Sequence, residues 1–592
     1  MAAAFERPTF CCCRKVVTGS AKSERLNSSR DCPVDIASAS NFQHFQIQHF
    51  HLELDINFPS REIQAVEVLD LVCLQPDTQS LVLDSHQSLH IRSVNAKCRC
   101  NSGENSWPLS HRLDPFTEYG SSLVINLPAA IKPLSNFQII IRYTTADGPA
   151  IWWLDPELTS GNSKPFLFTH GHSVCNRSFF PCFDTPAVKS TYSATVMVPP
   201  GIRVLMSATR STFDEQENIY RFQMEYPVPA YLLALVAGDL ISADIGPRSR
   251  VWAEPCLLKI ATAKLNGTVE RWLSAAENLF GPYMWERYDV VFLPPSFPIV
   301  AMENPCLTFI ISCILESDEF LIIDVIHEIA HSWFGNAVTN ATWEEMWLSE
   351  GLATYAQRRI TTETYGAAFT CLETTFRLEA LHRQLKLLGD ESPVSRLQVK
   401  FEPGVNPSSL MNLFTYEKGF CFVYYLSQLC GDTKCFDSFL RAYVEKFKFT
   451  SVVATDLLEF FLGFFPELRE KCVDNKEAQL SFLRFLLTGT SELFELNLKL
   501  NAIPLQYSSF FLFQTSRMYT GPLYEDLCAG TMKAIAIETF YLTQNRLHVN
   551  LRRAIQQIFA HSANPAAVMT FLEDKPSDAS NPISLRDVNV SA

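Results

Sequence analysis

Two histidines, His327 and His331, stand four residues apart around Glu328 in the stretch VIHEIAHSWFGNAVTNATWEEMWLSEGLATYAQRR, residues 325–359. On an α-helix, positions i and i+4 share a face, so both imidazoles can reach one ion while Glu328 lies beside it. Zinc accepts imidazole nitrogens and a carboxylate oxygen in a tetrahedron and, where it is catalytic, keeps the fourth position for water. Glu350 can supply the carboxylate from a following helix that folds back on the first. Glu344 and Glu345 are nearer, and helical phase does not choose among the three. With 13 histidines in 592 residues, this motif arises by chance in about 2 of 100 chains of this size. The spacing therefore points to metal-assisted hydrolysis, against the plainer reading of an amphipathic helix with polar-face histidines.

Such a site needs rigid elements around it, and the chain has room for two or three domains, because single cores stop growing near about 250–300 residues. From Phe42 to about Asp239, runs such as FHLELDIN, SLVINLP, QIIIRYT and YSATVMVP are short, rich in Val, Ile and Tyr, and bounded by Pro, Gly, Asn or Asp, which predicts an antiparallel β domain. From about Ile241 the period becomes helical in VERWLSAAENLFGPYMW and FLIIDVIHEIAHSWF, with one strand, DVVFLPP, between them. The expected division is a disordered leader over 1–33, a β domain over 34–240, a catalytic domain over 241–465, a helical C-terminal domain over 466–562 and a disordered tail over 563–592. The run from Glu495 to Gln514 has no clear period and looks foreign to its neighbours.

Composition removes several function classes. The chain carries 49 basic and 63 acidic residues, a net charge of -14 with no long basic run, so nucleic acid is not an expected partner and cationic small substrates are mildly favoured. No signal-length apolar core opens the chain and no run of about 18 apolar residues follows, which leads us to expect a cytoplasmic protein without a transmembrane segment. Its 18 cysteines contain no C-x2-C pair, against a cysteine zinc ribbon or a thioredoxin motif. The run Cys11–Cys13 fits a disordered leader better than an acylation site. Nothing in the sequence speaks to oligomeric state.

The segments PPSFPIVAMENPCLTF, HEIAHSWFGNAVTNATWEEMWLSEG and LFTYEKGFCFVYYLSQLCGD resemble the zinc aminopeptidases that include aminopeptidase B and leukotriene-A4 hydrolase, from about Phe42 to Asp474 and again near Ser516. The resemblance implies a multidomain α+β fold: an N-terminal antiparallel β saddle, a thermolysin-like zinc catalytic domain and a helical C-terminal domain, here shorter than in the family. It implies one Zn2+ held by His327, His331 and Glu350, the family's HExxH-x18-E pattern, and peptide substrates with a free N-terminus. Glu328 suits the base that takes a proton from the attacking water. Tyr416 matches the family's oxyanion donor, and Glu303 the acid that holds the substrate's α-ammonium.

The chain also departs from that pattern. Val300 and Ala301 replace two glycines before Met302, which should narrow the substrate pocket or shift its strand. His172 occupies the place of an amine-binding glutamine, which would make that contact pH-sensitive. Ser349 replaces an asparagine. Arg517 lies near, though one residue out of register with, basic residues that meet the peptide carboxylate. Ser408 and Met411 stand where leukotriene-A4 hydrolase has its epoxide-opening aspartate and companion tyrosine, against a lipid epoxide hydrolase. A catalytically weak scaffold of the same fold is the other alternative, and the intact metal pattern argues against it. Between Gly404 and Tyr416 there is no acid, so neutral first residues should be released faster than Arg or Lys.

Overall fold

The computed structural model describes residues 34–469, apart from 76–77, 99–105, 129–135, 146, 317, 389–391, 393–394, 411 and 413. The expected leader with Cys11–Cys13, all but residues 466–469 of the expected C-terminal domain, with the Glu495–Gln514 run and Arg517, the tail and Met411 lie outside the described residues.

Alternation builds the first half. Along Phe45–Asn57, residues Phe45, Ile47, Phe50, Leu52, Leu54 and Ile56 are buried and most of those between them are not, the period of a strand with one face on a core. The single slip in phase, between Ile47 and Phe50, coincides with a register shift against Glu62–Cys73. This strand lies inside an eight-stranded sheet of order Arg210–Asp214, Ile219–Val228, Ser190–Met197, Phe45–Asn57, Glu62–Cys73, Asn136–Thr145, Leu89–Cys98, Ser106–Pro108. Neighbours are antiparallel, as expected, with one exception: Phe45–Asn57 runs parallel to Ser190–Met197. A parallel partner must be reached by a crossover, and here everything between residues 58 and 189 serves as one.

A four-stranded sheet, of order Arg203–Met206, Leu235–Gly238, Phe166–Thr169, Ile151–Leu154, is the wall between two hydrophobic cores. Phe166, Phe168 and Val236 belong to one core and Leu167, Leu235 and Ala237 to the other, as strand alternation requires. The strand Phe166–Thr169 therefore stands against both halves of the molecule, and its continuation delivers His170 and His172.

The second half begins with strands. Ile241–Gly246 and Ser249–Ala253 form a hairpin, so the switch to helical spacing comes at Pro255 rather than at Ile241. The two extend a five-stranded sheet of order Ile241–Gly246, Ser249–Ala253, Asp289–Leu293, Leu307–Ile311, Ala301–Met302. Around it the described residues form eight helices: α1 Pro255–Leu265, α2 Thr268–Phe280, α3 Asp318–His331, α4 Trp347–Tyr365, α5 Ala367–Leu388, α6 Gly419–Leu429, α7 Thr433–Phe447 and α8 Ala454–Phe464. Helix α4 is central; it is buried over most of its circumference and packs against α2, α3, α5 and α6. It can lie against α6 because Gly351 and Gly419 meet backbone to backbone; a Cβ on Gly351 would stand 2.7 Å from the Gly419 Cα. The halves are joined by Lys189, whose Nζ donates to the carbonyls of Asn336 and Ala337 at 3.1 and 3.0 Å, just beyond α3. No helix among the described residues is long and apolar enough to cross a membrane.

Candidate metal centre

Helix α3 turns Val325, Ile326, Ile329 and Ala330 into the core, each fully buried, and leaves His327, Glu328 and His331 on its remaining face. Helix α4 brings Glu350 opposite them. The Nε2 atoms of His327 and His331 are 3.0 Å apart, and each lies 3.3 Å from Glu350 Oε2. With zinc–ligand distances of about 2.0–2.2 Å, the edge of a tetrahedral site is about 3.3 Å. The three atoms thus form one face of such a site.

Both histidines are held in the tautomer that a metal needs. His331 Nδ1 lies 2.9 Å from the Phe334 carbonyl and His327 Nδ1 lies 3.2 Å from Gln357 Oε1. Each Nδ1–H donates to an oxygen, so each Nε2 keeps its lone pair for a metal. The first contact needs the chain to double back after α3, which it does at Gly335, with φ of +130° and room for no side chain: a Cβ would meet His331 Nδ1 at 2.7 Å. Gln357 is in turn anchored by donating to Glu373 Oε1 at 2.7 Å.

Electrostatics also ask for a cation. Three buried carboxylates, Glu303, Glu328 and Glu350, surround the imidazoles. Burial works against charge on His331, yet Glu350 and Glu303 outweigh it and raise its pKa to about 10. Burial likewise opposes ionisation of Glu350, but His331 and His327 hold its carboxyl well below the usual range. Burial, assisted by Glu303 and Glu350, pushes Glu328 well up. A site so arranged takes a proton or a metal ion; the donor set, two imidazoles and a carboxylate, is one that zinc fits.

Of the acids that spacing left open, the geometry brings only Glu350 to the histidines. Glu345 accepts from the Ala454 amide at the start of α8 at 3.1 Å and from Gln398 Nε2 at 3.3 Å, and Glu344 is half-buried beside Lys400.

The remaining expected residues gather nearby. Ala301 begins the short edge strand that leads into Glu303, and Val300, just before it, accepts the Ile311 amide at 2.9 Å; both Val300 and Ala301 are buried. The carboxylates of Glu303 and Glu328 form a second close group with His331. Glu328 Oε2 is buried and has no hydrogen-bond partner among the described residues. The ring of Tyr416 is 5.8 Å, centroid to centroid, from that of His327. His172 sits edge-on to Tyr231 and Trp343 at 5.6 and 5.2 Å, and its Nε2 has no hydrogen-bond partner among the described residues. Burial lowers its pKa to about 4, so it is neutral throughout the physiological range and the expected pH sensitivity does not arise there. Ser408 donates to Ser173, the neighbour of His172, at 3.3 Å. Ser349 is satisfied by donating to Asn340 Oδ1 at 2.6 Å.

Sequence reasoning missed Gln357, although it stands two helical turns beyond Glu350 and so on the same face of α4. It also missed the Tyr231 and Trp343 wall around His172, for which no local signal exists.

The peptidase M1 N-terminal domain matches residues 46–232 and the peptidase family M1 domain residues 263–470. The chain is 54% identical to a Mus musculus protein named Aminopeptidase RNPEPL1 over 719 residues, covering 98% of this chain and 99% of that one. That span exceeds the 592 residues of this chain, so the relative carries segments absent here. It is 49% identical to Homo sapiens Aminopeptidase B over 74% of this chain and 69% of that protein. The solved structure of native yeast LTA4 hydrolase superposes with a TM-score of 0.73 at 26% identity, over 94% of this chain and 82% of that one.

Proposed function

The chain belongs to peptidase family M1 and is a zinc metallo-aminopeptidase, and from that premise we propose that it removes single N-terminal residues, preferentially neutral ones, from peptides, with Glu328 as general base. One observation carries the reading: His327 Nε2, His331 Nε2 and Glu350 Oε2 converge within 3.3 Å beside a buried carboxylate oxygen, Glu328 Oε2, that no hydrogen bond satisfies among the described residues.

When bound, zinc supplies Lewis acidity, lowering the pKa of a coordinated water to about 7 and polarising the scissile carbonyl. His327, His331 and Glu350 would hold it. Glu328 takes the proton of the attacking water and passes it to the leaving amine. Tyr416 donates its phenol hydrogen to the oxygen that gains negative charge, an interaction of the kind worth about 2.7–4 kcal/mol in other oxyanion holes. Glu303 accepts hydrogen bonds from the substrate's α-ammonium, and neutral His172 offers a further acceptor through Nε2. An acylated N-terminus presents no cation to Glu303, so the reaction is confined to free chain ends.

The preference for neutral residues follows from what surrounds the segment before Tyr416. A desolvated guanidinium or ammonium without a counter-charge costs several kcal/mol. Ser408 lies beside Ser173 and His172, and no acid occurs between Gly404 and Tyr416. The buried acids close by are committed to the metal, the water and the α-amine. The overall negative charge of -14 favours cations only through a field screened over about 8 Å at physiological salt. The experiment is kcat/KM for Met-, Leu-, Gln-, Arg- and Lys-amides on one zinc-loaded preparation. Met, Leu and Gln should lead; Arg or Lys clearly fastest would remove Ser408 from its place in the pocket.

A further inference from the structure

The residue after Tyr416 is an acid that solvent barely reaches. Glu417 is 3% exposed, and both its carboxylate oxygens accept from Nη2 of Arg358, also 3% exposed, at 3.0 and 2.8 Å. Arg358 is on α4, two turns from the metal ligand Glu350. Its guanidinium lies over the Phe420 ring, 3.9 Å from the centroid, at the start of α6. Its Nε stands 3.8 Å from Glu373 Oε1 on α5, the oxygen that also accepts from Gln357. Gln357 in turn faces Nδ1 of His327. A continuous chain of side chains, buried beyond His327, thus joins a metal ligand to the neighbour of Tyr416.

The backbone at the far end of that chain is unusual. Phe414–Lys418 is a π-helical turn, a form that is rare and concentrated at functional sites. A single turn of so rare a form is held here by contacts from outside it. Two adjacent buried charges do this. Glu417 is gripped by Arg358 on one side, and Lys418 donates to the Ser395 carbonyl at 2.7 Å on another.

We propose that Arg358 is a positioning residue for Tyr416: by gripping Glu417 it fixes the rotation of the π turn, and so keeps the phenol beside His327 where the oxyanion forms. This rests on the assignment of Tyr416 as oxyanion donor. A buried ion pair that served only the fold would be replaceable without kinetic effect in protein that still folds. A positioning role shows in kcat, because misplacing a group that acts in the transition state leaves ground-state binding nearly untouched.

The test compares kcat and KM on a Leu-amide for wild type, Glu417→Gln, Arg358→Lys and Tyr416→Phe, and for Glu417→Gln and Arg358→Lys each combined with Tyr416→Phe. All are measured as zinc-loaded protein well below its Tm. Glu417→Gln keeps the shape and one hydrogen bond, so it carries the test if Arg358→Lys fails to fold. We expect each to lower kcat by about 10- to 100-fold with KM within about 3-fold. In the Tyr416→Phe background the further loss should be under about 3-fold, since the group being positioned is gone. Wild-type kcat in folded, zinc-loaded Glu417→Gln, or an undiminished loss in the Phe background, overturns the proposal while leaving Tyr416 in its role. Unchanged kcat in Tyr416→Phe alone overturns that role and this proposal together.

Discussion

Glu328 Oε2 is buried without a hydrogen-bond partner among the described residues, so exchanging its carboxylate for an amide of the same shape isolates basicity from packing. Glu328→Gln should retain one zinc per chain and lose turnover by about 10²- to 10⁴-fold, the usual range for a general base. Metal analysis beside kcat on one preparation checks this, and near-normal turnover with zinc in place would displace Glu328 from its role. Glu303→Ala is expected to act differently. Because the α-ammonium is bound in both ground and transition states, KM for free-amine substrates should rise by at least about 10-fold, while N-acetylated peptides stay as poor as before. Efficient cleavage of an N-acetylated peptide by the wild-type protein would contradict the whole exopeptidase assignment. His172, Val300 and Ala301 are departures of the same scale, and the first is the most informative: a buried neutral imidazole can still accept one hydrogen bond, so a changed residue type need not mean a lost contact.

At the scale of elements, the site depends on α4 being able to reach both α3 and α6. Gly351 and Gly419 allow it, and a methyl group at either would meet backbone atoms at 2.7–2.8 Å, which cannot swing aside as a side chain could. Gly351→Ala should therefore lose about 1–3 kcal/mol, as overpacking does, and the lost stability should appear as a lower Tm together with weaker zinc retention, because Glu350 precedes it directly. Glu345 makes a second element-scale prediction. Spacing left it among the possible metal ligands, yet it caps α8 through the Ala454 amide, and burial raises its pKa to about 7 from an ordinary value of 4.5. A raised folded-state pKa means that the folded state holds the proton more tightly than the unfolded chain. The stabilisation is complete below about pH 4.5 and is lost as pH rises through about 7, to a limit of about 3 kcal/mol. Glu345→Gln should remove that portion of the pH dependence, since the amide oxygen still accepts from Ala454. Chemical denaturation of both proteins at pH 5 and pH 8 measures it; equal pH slopes would show that Glu345 is already ionised in the folded protein at pH 5.

Over the whole molecule, metal and fold are linked, because three buried carboxylates around two imidazoles are balanced only when a cation is present. Removing zinc with a chelator should lower Tm, and free zinc at about 100-fold its Kd should restore about 2.7 kcal/mol. An unchanged Tm on complete removal would mean that the charge is neutralised by protons at no cost. How much of this was legible beforehand differs by kind of feature. His327, Glu328 and His331 could be read from the chain because helical periodicity relates residues four apart without reference to anything else, and the strands of the β half could be read because alternation is equally local. The choice of Glu350 over Glu344 and Glu345 came only from resemblance to a family, since all three lie within reach of a returning helix and the angle of that return is set by packing. The parallel pairing of Phe45–Asn57 with Ser190–Met197, the strand hairpin from Ile241, the cap that Glu345 makes and the chain from His327 through Gln357, Glu373 and Arg358 to Glu417 join residues far apart in sequence. Local propensity carries no information about such partners. Sequence alone thus determined which chemical groups were present, and on which faces of which elements. Tertiary structure decided which of them meet, because burying a charge or a lone pair is tolerable only where the folded chain brings its partner within hydrogen-bonding distance.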